Sequence, residues 1–256
     1  MFTVHSHAGG TGKSFVTANV AALCALDGAR VCIVDTDLQA PTQHVSFGLS
    51  PVDMTGSVAD FIVGNCSAAD TLHDRTGQVA GRGGTGALWL APSRPSADLL
   101  QGLLATGYDA GLLDELVASI IRHLRPDLVV LDTPTGMSTE TLVSLSMADS
   151  LAIVIRPDAQ ERSGVSLTGQ MTQRLTDRDP LLVVNMSSEF ADAELVRHEI
   201  EAAFGTTVTE VVPYRPIVTS SAGGVLALDH PDEPPLDNLR RLARMILAPA
   251  PPAGCG

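Results

Sequence analysis

The sequence predicts an α/β fold with a doubly wound, mostly parallel sheet of about seven or eight strands flanked by helices. Short apolar runs alternate with longer helical patterns along the chain, as expected for repeated strand–helix units. Aromatic residues make up only 4% of the sequence, while Ala, Val and Leu abound, which suits strands covered on both faces. With 256 residues and 45% hydrophobic content, we expect one domain over residues 1–247 and a disordered Pro-rich tail over residues 248–256.

Seven segments have the length and composition of strands: FTVH, RVCIVD, ALWLAP, DLVVLD, SLAIVI, LLVVN and TVTEVVP. An apolar helical pattern that ends at Gly28 follows the first, and residues 109–124 repeat Leu and Ile at spacings of three and four, which predicts another helix. Residues 75–86 are glycine-rich, and we expect a mobile surface loop there. Three C-terminal arginines at helical spacing predict a last helix with a solvated polar face or, alternatively, a membrane-seeking helix. They are Arg240, Arg241 and Arg244.

The charge balance of the chain is acidic. The formal net charge is −13 at pH 7. Because DNA and anionic membranes are also negatively charged, we expect no nonspecific binding to DNA and at most weak contact with membranes. The four cysteines form no CxxC pair, so neither a metal site nor a disulfide framework is indicated, and Cys24 and Cys32 lie among apolar residues. The chain starts with a strand-like segment in place of a basic region and a long apolar run. We therefore expect a cytoplasmic protein.

A glycine-rich loop follows the first predicted strand and directly precedes the first predicted helix. Residues 6–14 read SHAGGTGKS. In this setting the glycines let backbone N–H groups converge on phosphate oxygens, and the helix dipole favours the anion. Lys13, the only lysine of the chain, can reach the outer phosphates, and the Ser14 hydroxyl can bind Mg²⁺. The loop therefore predicts a site for a nucleotide with Mg²⁺.

The GGTG motif recurs at residues 83–86 and provides an internal comparison. Ala87 follows this second copy where the first copy has lysine, and a predicted strand comes next instead of a helix. We therefore interpret the second copy as a flexible loop without a ligand.

Polar side chains follow three of the predicted strands. Asp35 and Asp37 lie at the end of the second predicted strand and just beyond it. They point to the same side, because strand side chains alternate with a period of two. Such a pair near Mg²⁺ can hold a water ligand or orient the attacking water. Alternatively, Asp37 or Asp35 caps a following helix. Asp132 fits an aspartate that binds Mg²⁺ through water, or a plain turn aspartate. The Asn185 amide can pair with an adenine edge or simply form a turn.

Several segments, in order along the chain, resemble the MinD/ParA family of deviant P-loop ATPases. These segments are GGTGKS, VDTDLQAP, LWLAPS, DLVVLDTPTGMSTETLVSLSMADSLAIVIRPD and LLVVNM. The resemblance covers most of residues 1–247 and implies a single nucleotide-binding domain of MinD/ParA type. It also implies ATP or ADP with Mg²⁺ as cofactors and a nucleotide-dependent homodimer that sandwiches ATP.

The resemblance implies a role for each residue that matches a family motif. Lys13 acts in catalysis together with Asp37, which aligns the attacking water. Ser14 and Asp132 are then expected at the metal, where the acidic pair after the second strand also places Asp35. The implied nucleotide contacts are Gly9, Gly10, Thr11, Gly12, Lys13, Ser14 and Asn185, the last of these at adenine.

The sequence departs from the family at the start of the loop. The usual KGGxGK places a signature lysine where this chain has Ala8. In the family that lysine crosses the dimer interface to the partner's nucleotide, and a positive charge supplied in trans can be worth roughly 10³ to 10⁵ in the rate of phosphoryl transfer. Three outcomes are open: another cation such as His7 replaces it, the dimer works slowly through the remaining contacts, or the nucleotide binds without turnover.

These observations predict a slow Mg-dependent ATPase that acts as a switch. Its nucleotide-controlled dimerisation would gate binding to a protein partner in intracellular positioning or regulation. One alternative is a nucleotide-binding scaffold without useful hydrolysis. Another is an ATP-dependent biosynthetic ligase of the same superfamily, for which the sequence offers no second substrate motif.

Overall fold

The computed structural model describes residues 1–96, 98, 101, 109, 111–157, 179–217 and 224–248. Its strands are β1 (Phe2–His5), β2 (Arg30–Asp35), β3 (His73–Asp74), β4 (Ala87–Ala91), β5 (Leu128–Asp132), β6 (Ser150–Ile155), β7 (Leu181–Ser187) and β8 (Val208–Pro213). They form one sheet in the order β3-β4-β2-β5-β1-β6-β7-β8. Neighbouring strands are parallel, apart from the antiparallel pair β3–β4. The predicted fold class is thereby confirmed.

Helices cover both faces of this sheet. They are α1 (Lys13–Leu26), α2 (Gln43–Ser46), α3 (Val58–Ile62), α4 (Thr76–Ala80), α5 (Gly111–Leu124), α6 (Thr139–Ser146), α7 (Ala193–Phe204), α8 (Leu226–Asp229) and α9 (Pro235–Leu247). Short 3₁₀ turns lie at Pro51–Asp53 and Ala69–Thr71. The predicted tail falls outside the described residues from residue 249 onward, and its disorder stays a prediction.

Side-chain alternation along the strands divides the core into layers on the two faces of the sheet. In β2, Val31 and Ile33 pack into the layer that contains α1, α8 and α9. Cys32 and Val34 point the other way and pack into the layer that contains α5. Burial raises the pKa of the Cys32 thiol to about 12, so this side chain acts as a small apolar group, as the sequence predicts.

All seven predicted strands are present, but the prediction for residues 75–86 was wrong in part. Residues Thr76–Ala80 form α4, and Val79 is fully buried against the core. A Cβ atom added at Gly86 would lie 2.2 Å from the Ala29 carbonyl oxygen, so this second GGTG copy is a close-packed turn. The preceding two-residue strand β3 is too short to leave a periodic signal in the sequence.

The C-terminal arginines belong to a packed helix, as predicted. The apolar face of α9 is buried in the α1 layer through Leu236, Leu239 and Leu242. On the other face, the Arg241 guanidinium donates to both carboxylate oxygens of Glu210 at 2.9 Å. Over the described part of the chain, every helix is too short or too polar to cross a bilayer.

Candidate nucleotide-binding site

The glycine-rich loop connects the carboxyl end of β1 to the N-terminus of α1 and borders a cavity of about 460 Å³. Gly10 and Gly12 have φ angles of 75° and 82°, a left-handed backbone region in which side chains other than glycine are strained. These two residues turn the chain so that it enters α1. Of the predicted site residues, those that line the cavity are Gly9, Gly10, Thr11, Gly12, Lys13, Ser14 and Asp37.

A buried ion pair links Lys13, which lines this cavity, to Asp132 behind it. The Lys13 ammonium donates to Asp132 Oδ1 at 2.9 Å, and their side chains are only 7% and 1% exposed. The Thr17 hydroxyl lies 3.1 Å from the same oxygen. Gln43 donates from Nε2 to the second oxygen, Asp132 Oδ2, at 2.7 Å. Lys13, predicted for phosphate, and Asp132, predicted for Mg²⁺, are therefore direct neighbours.

Asp35 and Asp37 occupy different environments. Asp35 is fully buried and accepts hydrogen bonds from the backbone amides of Asp37, Thr42 and Gln43. Burial, and then the charge of Asp132, raise the pKa of the Asp35 carboxyl well above its usual range. Thr42 and Gln43 are the N-cap and first residue of α2, so Asp35 binds the start of the following helix, as the alternative interpretation described. Metal binding by Asp35 stays a prediction.

Asp37 is partly exposed at the wall of the cavity. Its Oδ1 accepts from the amides of Gln39 and Ala40 at 3.1 and 2.8 Å. This is a local turn and not the helix cap of the alternative interpretation, because the following helix α2 begins only after Thr42. Because the side chain is both held by this turn and open to the cavity, it can still face a bound water. Its predicted catalytic role is compatible with this position.

Asn185 packs directly on the loop. Its Nδ2 donates to the Thr11 carbonyl oxygen at 2.8 Å, and the residue is 3% exposed. A Cβ atom added at Gly12 would lie 2.2 Å from this nitrogen. The structure therefore places the Asn185 amide against the loop backbone, and its contact with adenine stays a prediction.

Sequence reasoning missed Thr17 and Gln43, which with Lys13 are the described residues whose side chains donate hydrogen bonds to the Asp132 carboxylate. Thr17 lies one helical turn after Lys13, so the strand–loop–helix pattern contained a weak signal for it. Gln43 comes 30 residues after Lys13 and belongs to no motif. Only the fold brings it to the site.

His5 ends β1 beneath the loop. Its Nδ1 lies 2.9 Å from the Thr133 hydroxyl, while Nε2 is buried without a hydrogen-bond partner among the described residues. Burial, and then the positive charge of Lys13, lower the pKa of His5 from 6.5 to about 3. His5 is therefore neutral at physiological pH. The positive charge beside Asp132 comes from Lys13.

Replacing His5 with asparagine is expected to flatten the pH dependence of stability. The unfolded wild type binds a proton at this residue near pH 6.5, but the folded chain does so only near pH 3. The free energy of unfolding therefore falls as the pH drops through this window, by up to about 1.4 kcal/mol per pH unit from His5. Denaturant unfolding measured between about pH 7 and pH 4.5 gives the slopes. His123→Asn, at an exposed histidine, is the matched control, and equal slopes in all three proteins would contradict the expectation.

The residues around the cavity fit a nucleotide with Mg²⁺. A Cβ atom added at Gly9 or Gly10 would meet nothing within 4 Å, so the loop backbone is open to an approaching phosphate. Thr11 Oγ1 is buried without a hydrogen-bond partner among the described residues. Within the described ranges, no three His, Cys, Asp or Glu side chains form a metal cage. The oxygens of Ser14 and Asp132 suit Mg²⁺, which is usually held by one or two protein groups, substrate phosphates and water.

The fold and the site define the class of protein: an α/β nucleotide-binding domain with a phosphate loop between its first strand and helix. Residues 2–225 match the CobQ/CobB/MinD/ParA nucleotide binding domain family, and the chain belongs to that family. The resemblance to MinD and ParA proteins that the motifs predicted is thereby confirmed.

Similar proteins span nearly the whole chain. An uncharacterized ATP-binding protein of Methanocaldococcus jannaschii is 27% identical over 247 residues, which cover 95% of this chain and 86% of the relative. The septum site-determining protein MinD of Pyrococcus horikoshii, solved with Mg-ADP, has a TM-score of 0.75 at 16% identity and covers 96% of this chain and 94% of its own. The MinC:MinD cell division protein complex of Aquifex aeolicus gives a TM-score of 0.75 at 19% identity. This match covers 99% of the present chain and 97% of the matched chain.

Proposed function

We propose that this protein is an ATP-dependent switch. In this proposal it binds ATP with Mg²⁺ in the loop cavity, dimerises according to the bound nucleotide, and hydrolyses ATP slowly. The dimer then gates the binding of a protein partner in intracellular positioning or regulation. The observation that carries the proposal is a cavity lined by the phosphate loop in which Lys13 forms a buried ion pair with Asp132.

The arrangement of the loop supports nucleotide binding. Phosphate oxygens would be bound by the loop N–H groups between Gly9 and Ser14 and by the N-terminus of the 14-residue helix α1. Lys13 would turn from Asp132 toward the phosphates and leave Asp132 and Ser14 to hold the cation. When bound, Mg²⁺ would neutralise charge on the phosphate oxygens. The M. jannaschii relative is described as ATP-binding and the P. horikoshii relative contains Mg-ADP, which agrees with this choice of cofactors.

Slow hydrolysis follows from two features that oppose each other. Asp37 stands at the cavity wall where it can orient a water, and Lys13 and Ser14 are in place. Ala8, however, supplies no charge at the position of the family's signature lysine. A scaffold that binds nucleotide without turnover is the second candidate, and Ala8 is the observation that favours it.

The chain offers a direct test because Lys13 is its only lysine. Selective ¹⁵N-lysine labelling gives one backbone amide signal, which comes from the first residue of α1. We expect this signal to shift on addition of Mg-ATP or Mg-ADP, and we expect the protein to dimerise with one of the two nucleotides and to release phosphate slowly.

Phosphate release should disappear in Lys13→Ala and Asp37→Ala, while circular dichroism confirms that both variants fold. An unchanged Lys13 signal at millimolar Mg-ATP would refute nucleotide binding. A shifted signal with no change in oligomeric state and no phosphate release would favour the scaffold.

A further inference from the structure

Gln43 is the residue that connects the separate parts of the site. It is fully buried at the start of α2. Its side-chain Nε2 donates to Asp132 Oδ2 at 2.7 Å and to the Ser14 carbonyl oxygen at 3.1 Å. Its backbone N–H donates to Asp35 Oδ2 at 3.1 Å. One residue therefore links the ends of β2 and β5 to the first turn of α1.

The contact with Asp132 differs from the other contacts of that carboxylate. Lys13 and Thr17 both approach Oδ1, whereas Gln43 is the one described residue that donates to Oδ2. If Lys13 turns toward a phosphate, its bond to Oδ1 is lost but the Gln43 bond can remain. Gln43 can therefore keep the carboxylate plane fixed in both arrangements of Lys13.

The Gln43 side chain also has an atom free for a ligand. Its Oε1 is buried and has no hydrogen-bond partner among the described residues. An amide oxygen accepts hydrogen bonds from water, and Mg²⁺ at protein sites usually keeps several water molecules. This oxygen belongs to the same amide group as Nε2, which bonds to Asp132 and Ser14, so it can accept a hydrogen bond from a water that arrives with the cation.

We infer that Gln43 is a positioning residue for the Mg²⁺ site, which it serves by fixing the Asp132 carboxylate relative to Ser14. This inference rests on the proposed function, since it requires that nucleotide binds together with Mg²⁺. It is specific to the cation, because the side-chain hydrogen bonds of Gln43 go to the Asp132 carboxylate and the Ser14 carbonyl oxygen and not to the loop N–H groups that would bind phosphate.

The test compares nucleotide affinity with and without the cation. A non-hydrolysable ATP analogue is titrated into ¹⁵N-lysine-labelled protein in Mg²⁺ and, separately, in EDTA, and the Lys13 signal gives both dissociation constants. For Gln43→Leu we expect the gain in affinity that Mg²⁺ provides to fall about 10-fold, the effect of losing a hydrogen bond to a charged group. Affinity in EDTA should change by less than about 2-fold. Gln39→Leu, at an exposed glutamine in the same loop, should match the wild type.

Each outcome separates this inference from the proposed function. If Mg²⁺ does not strengthen binding to the wild type, the proposed function fails. If it does, but Gln43→Leu keeps the full gain or loses affinity equally in both buffers, Gln43 is only structural and the inference is overturned. Gln43→Met, which is unbranched and similar in length, repeats the test should leucine disturb folding.

A measurement on the unmodified chain is independent of any variant. With ¹⁵N-glutamine labelling, the side-chain amide protons of Gln43 should exchange with solvent at least about 10-fold more slowly than those of exposed Gln39, because they are donated inside the protein. Equal exchange rates would also overturn the inference.

Discussion

Replacing Ala8 with lysine is expected to accelerate phosphate release from Mg-ATP by up to about 10³-fold. The family's loop supplies a cation at this position, and here the methyl group of Ala8 supplies none. The substitution should leave the loop intact, because Ala8 is partly exposed and its hydrogen bond with the Ser6 hydroxyl, at 3.0 Å, uses the backbone carbonyl. Steady-state phosphate release measures the effect. Ala80→Lys adds the same charge at an exposed site on α4 and should leave the rate unchanged.

A mixing experiment determines whether the charge acts across a dimer. The double variant Ala8→Lys/Lys13→Ala should be inactive alone, because it lacks the phosphate-binding lysine. Added in excess to the wild type, it should nonetheless raise the wild-type rate if the new ammonium reaches the partner's nucleotide. An unchanged rate in Ala8→Lys itself would mean that another cation already fills this role, and His7, which borders the loop, would be the first to replace.

Replacing Gly12 with alanine is expected to weaken nucleotide binding by about 100-fold or more. Gly12 has a φ of 82°, and an added Cβ would lie 2.2 Å from Asn185 Nδ2. Backbone strain of this kind costs on the order of 1–3 kcal/mol, and relief of the collision must move either the loop or Asn185. The dissociation constant of Mg-ADP, measured through the Lys13 amide signal, gives the loss in affinity.

Two variants separate the causes of the Gly12→Ala effect. Gly77→Ala adds the same methyl group on α4, outside the phosphate loop, where nothing lies within 4 Å and φ is ordinary, so its affinity should stay within a few-fold of the wild type. Gly12→Ala/Asn185→Ala removes the collision but keeps the strained φ, so it should recover affinity only in part. Equal affinities for Gly77→Ala and Gly12→Ala would contradict the importance of the Gly12–Asn185 contact.

Much of the fold was predictable because the relevant signals are local. The central strands are buried on both faces, so their sequences are nearly continuous apolar runs that stand out from the helical patterns between them. The strand β3 and the helix α4 gave no such signal. Each is five residues or shorter and is held by tertiary contacts such as the burial of Val79.

For the site, the sequence by itself determined the phosphate loop, because a strand, a glycine turn and a helix N-terminus are contiguous and create their own anion site. It also determined that Asp35, Asp37 and Asp132 lie at one edge of the sheet, since parallel strands share a direction. Only the tertiary structure decided which carboxylate Lys13 pairs with, that Asp35 is enclosed by backbone amides, and that Gln43 joins the site. These contacts connect residues up to 119 positions apart, and their geometry depends on how the loops fold over the strand ends, which no local pattern of residues encodes.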